Sequence, residues 1–410
     1  MRPIVCVTGL LFLLFCITAV SAQTRVELYS TDFEGPPADW TLTGDFSLAA
    51  PGGGNTCQAP HSGLLVLGTN ASGDYSGEQS LMDNYAQSPI INIAGASDLR
   101  VTYWSFTQFQ GRGNDSADRD GGHLYMKVDG GAWRLVDRVV DHREQKWTKH
   151  YLDISDLADG HTHVQFRFTY FSNDLIELSG WNIDDFTVLE AAPFTGIKTV
   201  NSAGFPGGDV YNSLAAAIDD INTHGVGASG LTVNVSAGSV FNEEIPPLVV
   251  SGPSAGNPIL IRKSGVGANP VIDSNGNVQS EEDAAFTLWG ASHVRISEID
   301  INSSSSFLEY GYFVSSNDFL VGSQHIDISG CNITIQNPVR GGTGIYQEVM
   351  AHPEDQDGTN SFNNYFNNTI TARDGITLTN AQVLINPLFY DLDCEVFGNS
   401  IQGYPNDLPF

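Results

Sequence analysis

Basic residues are scarce in this chain: Lys and Arg total 18 against 47 Asp and Glu, a formal net charge of −29 at pH 7 over 410 residues. That imbalance repels phosphate backbones and anionic lipid surfaces, so nucleic acid and membrane surfaces fall away as partners. Solubility, divalent cations and neutral glycans remain consistent with the acids, a solvated acidic coat being the simplest account. Cysteine is scarcer still. Past residue 22 only Cys57, Cys331 and Cys394 remain, an odd and widely spaced set that makes neither a disulfide framework nor a zinc motif. Beyond the N-terminus no apolar run approaches the ~20 residues of a membrane span. Nucleophile elbows, phosphate-binding loops and zinc-protease signatures are absent too.

The long apolar stretch stands at the start. Arg2 supplies a positive n-region, residues 4–20 an apolar h-region, and Val20-Ser21-Ala22 a small-residue cleavage site. Residues 1–22 therefore read as a signal peptide, and the protein as secreted or displayed at the cell surface. Phe15 before Cys16 does not suit lipoprotein processing.

Residues 23–190 alternate in the manner of β-strands. Val164, Phe166, Phe168 and Tyr170 interleave with His163, Gln165, Arg167 and Thr169, one apolar face and one mainly polar. Around Val101–Phe106 both faces carry bulk. Asp129-Gly130 between two such runs marks a hairpin, because a tight primed turn needs positive φ. Several strands of this kind predict an all-β, antiparallel sandwich. The segment resembles jelly-roll modules of the MAM-like or carbohydrate-binding kind found on secreted bacterial proteins. Asp32-Phe33-Glu34-Gly35 with Trp40, residues 121–133, and Gly180-Trp181-Asn182-Ile183-Asp184-Asp185-Phe186 carry that resemblance. Residues 191–198 read as a linker.

From residue 199 onwards the pattern changes. Tyr211, Leu214, Ile218 and Ile221 share one helical face and His224-Gly225 ends it, as in a helix capping the open end of a solenoid. Then the chain repeats. Residues 294–302, 326–334, 363–371 and 394–402 align without gaps, placing Ile301, Ile333, Ile370 and Ile401 in one column. Ile296, Ile328, Tyr365 and Val396 form another, and a further short strand precedes each segment. Stacked rungs ~4.8 Å apart, wound right-handed by strand twist, give a right-handed parallel β-helix over 199–410. Asn368 and Asn399 then stack in an asparagine ladder. Cys331 and Cys394 lie two rungs apart, beyond the ~7 Å a disulfide allows, and stay free. Residues 208–218, 233–238 and 269–272 resemble the opening coils of the pectate-lyase and pectin-methylesterase superfamily. Long β-helical surface proteins of Bacteroidetes-type bacteria are the nearest resemblance, and the lack of a cap-like pattern at residues 403–410 makes a β-helix that continues further the expectation.

The chemistry of that superfamily does not transfer residue by residue. Asp393-Cys394-Glu395-Val396-Phe397-Gly398-Asn399 is similar to an esterase motif, but Asp393 is one position early, and a one-residue slip turns a strand side chain to the opposite face. A lyase would gather an Arg or Lys with several acids; adjacent Arg262 and Lys263 face opposite sides, and Arg295, Arg340 and Arg373 have no acidic cluster nearby. Glu243-Glu244 reads as a solvated turn, His161 and His163 as an exposed pair, and His293 and His325 as stacked turn residues. Asp115, Asp118 and Asp120 crowd one loop and Glu354, Asp355 and Asp357 another, neither in EF-hand spacing. The jelly-roll resemblance implies structural calcium held by Asp32, Glu34, Asp184 or Asp185. Tyr75, Tyr85, Trp104 and Trp133 are the candidate ligand contacts, with core packing the alternative role for most of them. Together these features point to an exported, noncatalytic protein for adhesion or glycan recognition, with a pectate-lyase-like polysaccharide lyase or hydrolase, or a structural spacer, as the alternatives.

Overall fold

The computed structural model describes residues 25–35, 39–52, 57, 59–71, 73–77, 79–80, 83–110, 120–140, 146–173, 176–250, 252–276, 283–316, 321–337, 342–348, 356–379 and 389–403. The expected signal peptide, Arg340, and four of the six loop acids lie outside them.

Two antiparallel sheets make the first half. In the first sheet the order is Thr148–Asp153, Leu99–Gln108, Gly180–Ala191, Val66–Thr69, Phe46–Ala49, with Arg25–Thr31 also on Gly180–Ala191. The second sheet runs Thr41–Leu42, Tyr85–Gln87, His163–Phe171, Gly121–Val128, Arg134–Val140. Alternation works as expected: Val164, Phe166, Phe168 and Tyr170 are buried while His163, Gln165 and Arg167 face out. Full burial of each such apolar side chain contributes about 1.5–3 kcal/mol. The hairpin at Asp129-Gly130 forms with φ of 46° and 74°, the left-handed pair a tight turn needs.

The stretch expected to be a linker is mostly strand. Only Ala192 and Pro193 separate Gly180–Ala191 from Phe194–Val200, which pairs in parallel with Val226–Ser236. Phe194 is buried and stacks on His224, ring centroids 4.2 Å apart, so this segment belongs to the solenoid core. Gly196 within it had weakened the β signal.

The second half is a parallel β-solenoid of three sheets, with eight, six and four strands. Register pairs Ile272 with Ile301, Ile301 with Ile333, Ile333 with Ile370 and Ile370 with Ile401. Ile296, Ile328, Tyr365 and Val396 align likewise. The strands expected before each repeat are Ala284–Trp289, Tyr310–Ser315, Thr343–Glu348 and Asp374–Thr379. Cys57, Cys331 and Cys394 are free thiols.

The capping helix is Leu214–His224, starting three residues after Tyr211, which sits instead in the short strand Val210–Tyr211. Ser213 sets that start, its Oγ accepting from the Ala216 N–H at 3.0 Å. Leu214, Ala217, Ile218 and Ile221 close the solenoid core. The opposite side meets the sandwich: Asp219 Oδ1 accepts from Lys149 Nζ (2.7 Å) and Tyr151 Oη (2.6 Å). On Leu99–Gln108 the helix meets Arg100, which donates to the His224 carbonyl (3.2 Å), while the outward bulk at Trp104 and Phe106 packs on His61 and Trp147. Glu243 corrects the solvated-turn reading. Its Oε1 accepts from the Leu214 and Ala215 N–H groups and its Oε2 from Ser213 Oγ, so it satisfies the helix N-terminus.

The asparagine ladder is present. Asn368 Oδ1 accepts from the Cys331 N–H (3.0 Å), while its Nδ2 donates to the Ile328 carbonyl (2.9 Å). Asn399 repeats the pattern on Asn368 N–H and the Tyr365 carbonyl. A buried group left unpaired costs roughly 1–3 kcal/mol. Asn368→Ala should therefore cut hydrogen-exchange protection of the Cys331 amide roughly 30-fold, equivalent to about 2 kcal/mol. Unchanged protection would show that the ladder is incidental.

Candidate functional site

The outer face of the second sheet brings together two of the four expected ligand contacts. Tyr85 lies on Tyr85–Gln87, beside His163–Phe171, where Arg167 is opposite Gln87 and Thr169 opposite Tyr85. On the other flank Arg167 is opposite Tyr125 and Gln165 opposite Lys127. Trp133 follows the hairpin turn and folds over this surface. The Arg167 guanidinium sits 4.2 Å from the Tyr85 ring centroid and 4.4 Å from that of Trp133, bridging them. Lys127 Nζ lies 4.6 Å from the Trp133 centroid. Arg167 donates to Gln87 Oε1 from Nε (3.1 Å) and Nη2 (2.5 Å), which fixes the plane of its fork.

Arg167 was legible only as a member of the polar face of its strand. Nothing local in the sequence places it between two aromatic rings, one from the adjacent strand Tyr85–Gln87 and one from the connection before Arg134–Val140.

Tyr75 and Trp104 do not join this patch. Tyr75 is buried in the sandwich core, its hydroxyl hydrogen-bonded to Asp120 and to the Ile176 carbonyl (3.1 Å). An aromatic residue in a loop-rich stretch looks exposed in sequence, yet this one fills the core. Trp104 belongs to the first sheet and stacks on His61 at 3.8 Å. His61 Nδ1 lies 2.6 Å from Asp185 Oδ2, so Trp104 helps hold the 61–65 loop.

Three of the four carboxylates implied as calcium ligands, Glu34, Asp184 and Asp185, bond the 61–65 loop, while Asp32 accepts from the Glu34 N–H. Asp184 Oδ2 accepts from the Ser62 N–H (3.0 Å) and Asp185 Oδ1 from Ser62 Oγ (2.8 Å). Glu34 Oε1 accepts from the Leu64 and Leu65 N–H groups at 2.6 and 2.7 Å, and Asp32 Oδ1 from the Glu34 N–H. Among the described residues no three His, Cys, Asp or Glu side chains gather to hold a metal ion. In this arrangement the oxygens of Glu34, Asp184 and Asp185 fasten the 61–65 loop.

No protein-family model matches the chain, and no curated protein matches it. Among solved structures it is similar to a CBM22-1 xylan-binding domain of Paenibacillus barcinonensis Xyn10C, with 15% identity and a TM-score of 0.27 over 42% of this chain and 100% of that one. A cleaved adhesin domain of Lys-gingipain from Porphyromonas gingivalis gives 15% identity and a TM-score of 0.25, over 41% of this chain and 100% of that one. A GH136 lacto-N-biosidase from Eubacterium ramulus gives 17% identity and a TM-score of 0.35, over 50% of this chain and 41% of that one. These likenesses are low, and function has to be argued from this chain's own residues.

Among the described residues of the solenoid the cations are tied up: Lys263 Nζ is 2.6 Å from Glu298, Arg295 Nε 3.2 Å from Asp327, and Arg373 Nη2 2.8 Å from Asp374. Arg262 donates to Asn234. Asp393 sits in a turn column with His293, His325 and Phe362, all at positive φ. His293, His325 and Phe362 stack there at 4.4 and 4.9 Å. Cys394 meanwhile bonds the Asn360 carbonyl, so the esterase-like motif does not present its aspartate.

One cavity of about 180 Å³, where the sandwich meets the solenoid, does gather a lysine with acids: Lys146, Glu243, Glu244, Asp273 and Asp283. Glu243 is committed to the helix cap, and Lys146 Nζ pairs with Glu244 at 2.7 Å and Asp283 at 3.6 Å. Burial works to lower the Lys146 pKa, but the charges of Glu244 and Asp283 carry it above its ordinary value. A proton abstractor must lose its proton near neutral pH. Lys146 is held charged, and the cluster reads as a clasp between the two halves.

As for the membrane, no helix among the described residues is long and apolar enough to cross one.

Proposed function

We propose that this is an exported glycan-recognition protein that works without catalysis, presenting the outer face of its second sheet from a β-helical scaffold. The observation that carries the proposal is the Tyr85–Arg167–Trp133 layer. Sugars offer both apolar C–H faces and dense hydroxyls. A binding surface for them combines aromatic area with fixed hydrogen-bonding groups. Here Gln87 and Tyr125 flank the layer, and the bond from Arg167 to Gln87 holds its fork before any ligand arrives. Such preorganisation lowers the ordering cost of binding. Export follows from the signal-like residues 1–22.

The test is a glycan array followed by titration of the best ligand. Trp133→Ala should weaken binding at least tenfold, about 1.4 kcal/mol, with an unchanged circular dichroism spectrum because Trp133 is not in the core. A full-affinity Trp133→Ala protein would move the site elsewhere, and product release from the ligand would make the protein an enzyme.

A further inference from the structure

The second sheet runs against the charge of the whole protein. Acids outnumber Lys and Arg 47 to 18 over the chain, yet the strands Tyr85–Gln87, His163–Phe171, Gly121–Val128 and Arg134–Val140 contain a single acid, Asp137. That one turns inward, its Oδ2 accepting from the core hydroxyl of Tyr103 at 2.7 Å. Facing out are Lys127, Arg167 and, opposite His123, Arg138.

Most cations elsewhere among the described residues have a carboxylate partner, Arg262 with its Asn234 contact being an exception. Arg100, Lys146, Lys149, Lys198, Lys263, Arg295 and Arg373 each pair with a carboxylate. Lys127 and Arg167 have no carboxylate partner among the described residues; both lie against Trp133 instead. Arg167 spends Nε and Nη2 on Gln87, which leaves Nη1 open for an acceptor. In a chain this rich in acids, two adjacent cations without a carboxylate partner among the described residues, on strands whose one acid turns inward, mark a place kept for an anion from outside.

We infer that the ligand of this face is an acidic glycan, carrying carboxylate or sulfate groups; the inference rests on the glycan-recognition proposal for the same site. The whole-chain charge alone favours a neutral sugar. Local charge overrides it because the Debye length at physiological salt is only about 8 Å. An anion seated between Lys127 and Arg167 is dominated by those two groups, and the distant acids are screened. A guanidinium edge and an ammonium suit a planar carboxylate or a sulfate. A nucleic acid or a lipid surface has a footprint wider than the patch and would meet the acidic remainder of the molecule, which is why an oligosaccharide is the ligand this geometry selects.

The test uses the full chain on an array of uronate-containing, sulfated and neutral oligosaccharides, with single-stranded DNA alongside. The best acidic ligand is then titrated beside its methyl-esterified or desulfated counterpart. The acidic form should bind at least tenfold tighter, and its affinity should fall as salt rises from 50 to 500 mM. Lys127→Gln should cost the acidic ligand at least threefold more than it costs the neutral one; Arg167→Gln should cost more, and Lys127→Gln suffices if that variant does not fold. Equal affinity for acidic and neutral forms would overturn the acidic preference while leaving glycan recognition standing. Binding to no glycan would overturn both, as would tighter binding to DNA. An acidic preference that survives Lys127→Gln and Arg167→Gln would place the anion site elsewhere and overturn the inference.

Discussion

Gly344→Val is expected to destabilise the middle coils of the solenoid by about 3–4 kcal/mol, the upper end of the cost of overpacking. Gly311, Gly344 and Gly375 each face inward toward an isoleucine of the neighbouring sheet. A Cβ at Gly344 would overlap Ile370 Cγ2 and stand 2.8 Å from the Gly375 carbonyl oxygen. The same addition at Gly311 meets Ile333 Cγ2 at 2.8 Å, and at Gly375 it meets Ile401 Cγ2 at 2.6 Å. A side chain could rotate away, but the backbone oxygen of the next rung cannot. Coils interact mainly with their neighbours, so the damage should stay local. Amides in Asn332–Ile335 and Thr369–Ala372 should lose hydrogen-exchange protection while the sandwich strands keep theirs. Gly403→Val is the control, since a Cβ there meets nothing within 4 Å. If both variants leave protection equal to the parent protein, close packing at this column is not what the glycines provide.

A second large effect should appear as pH dependence. Asp184 is fully buried beneath the 61–65 loop, its oxygens accepting from the Ser62 and Asp185 N–H groups at 3.0 and 2.9 Å. Burial, assisted by the neighbouring charge of Asp185, outweighs those donors and raises the carboxyl from 3.8 to about 7. The folded state therefore binds this proton more tightly than the unfolded chain. Its contribution is fully present below about pH 4 and is lost as pH rises through about 7. At ~1.4 kcal/mol per unit the swing is on the order of 4 kcal/mol. Asp184→Asn cannot ionise and keeps one acceptor oxygen, so its loss of the second acceptor is constant with pH. Urea unfolding at pH 4, 6 and 8 should show the variant gaining on the parent protein by roughly 2–4 kcal/mol across that range. Parallel stability curves would mean that Asp184 is not desolvated.

The repeat columns, the free thiols, the asparagine ladder and the Asp129-Gly130 hairpin were all legible beforehand. Each depends on periodicity or on a local conformational requirement that the chain states directly. Local context left open whether Tyr75 and Trp104 pack or bind and made Glu243 a solvated turn, because distant segments decide their surroundings: Asp120 for the first, His61 for the second, the N-terminus of the capping helix for the third. Arg167 was visible as a polar-face residue, but its place between Tyr85 and Trp133 depends on which strands flank its own.

What the sequence by itself determined is the periodic part: an antiparallel sandwich, a capping helix and a solenoid whose isoleucine column holds register through Ile401. Side-chain alternation and column identity are properties of the chain read in order, so they need no tertiary knowledge. What only the tertiary structure decided is the charge of the outer face of the second sheet. The sequence carries its acids as a sum, which favours a neutral ligand. Folding sorts them in space, leaving Lys127 and Arg167 beside Trp133 on strands whose one acid, Asp137, turns inward. Screening within about a nanometre then makes that local arrangement, rather than the total, the field a ligand meets.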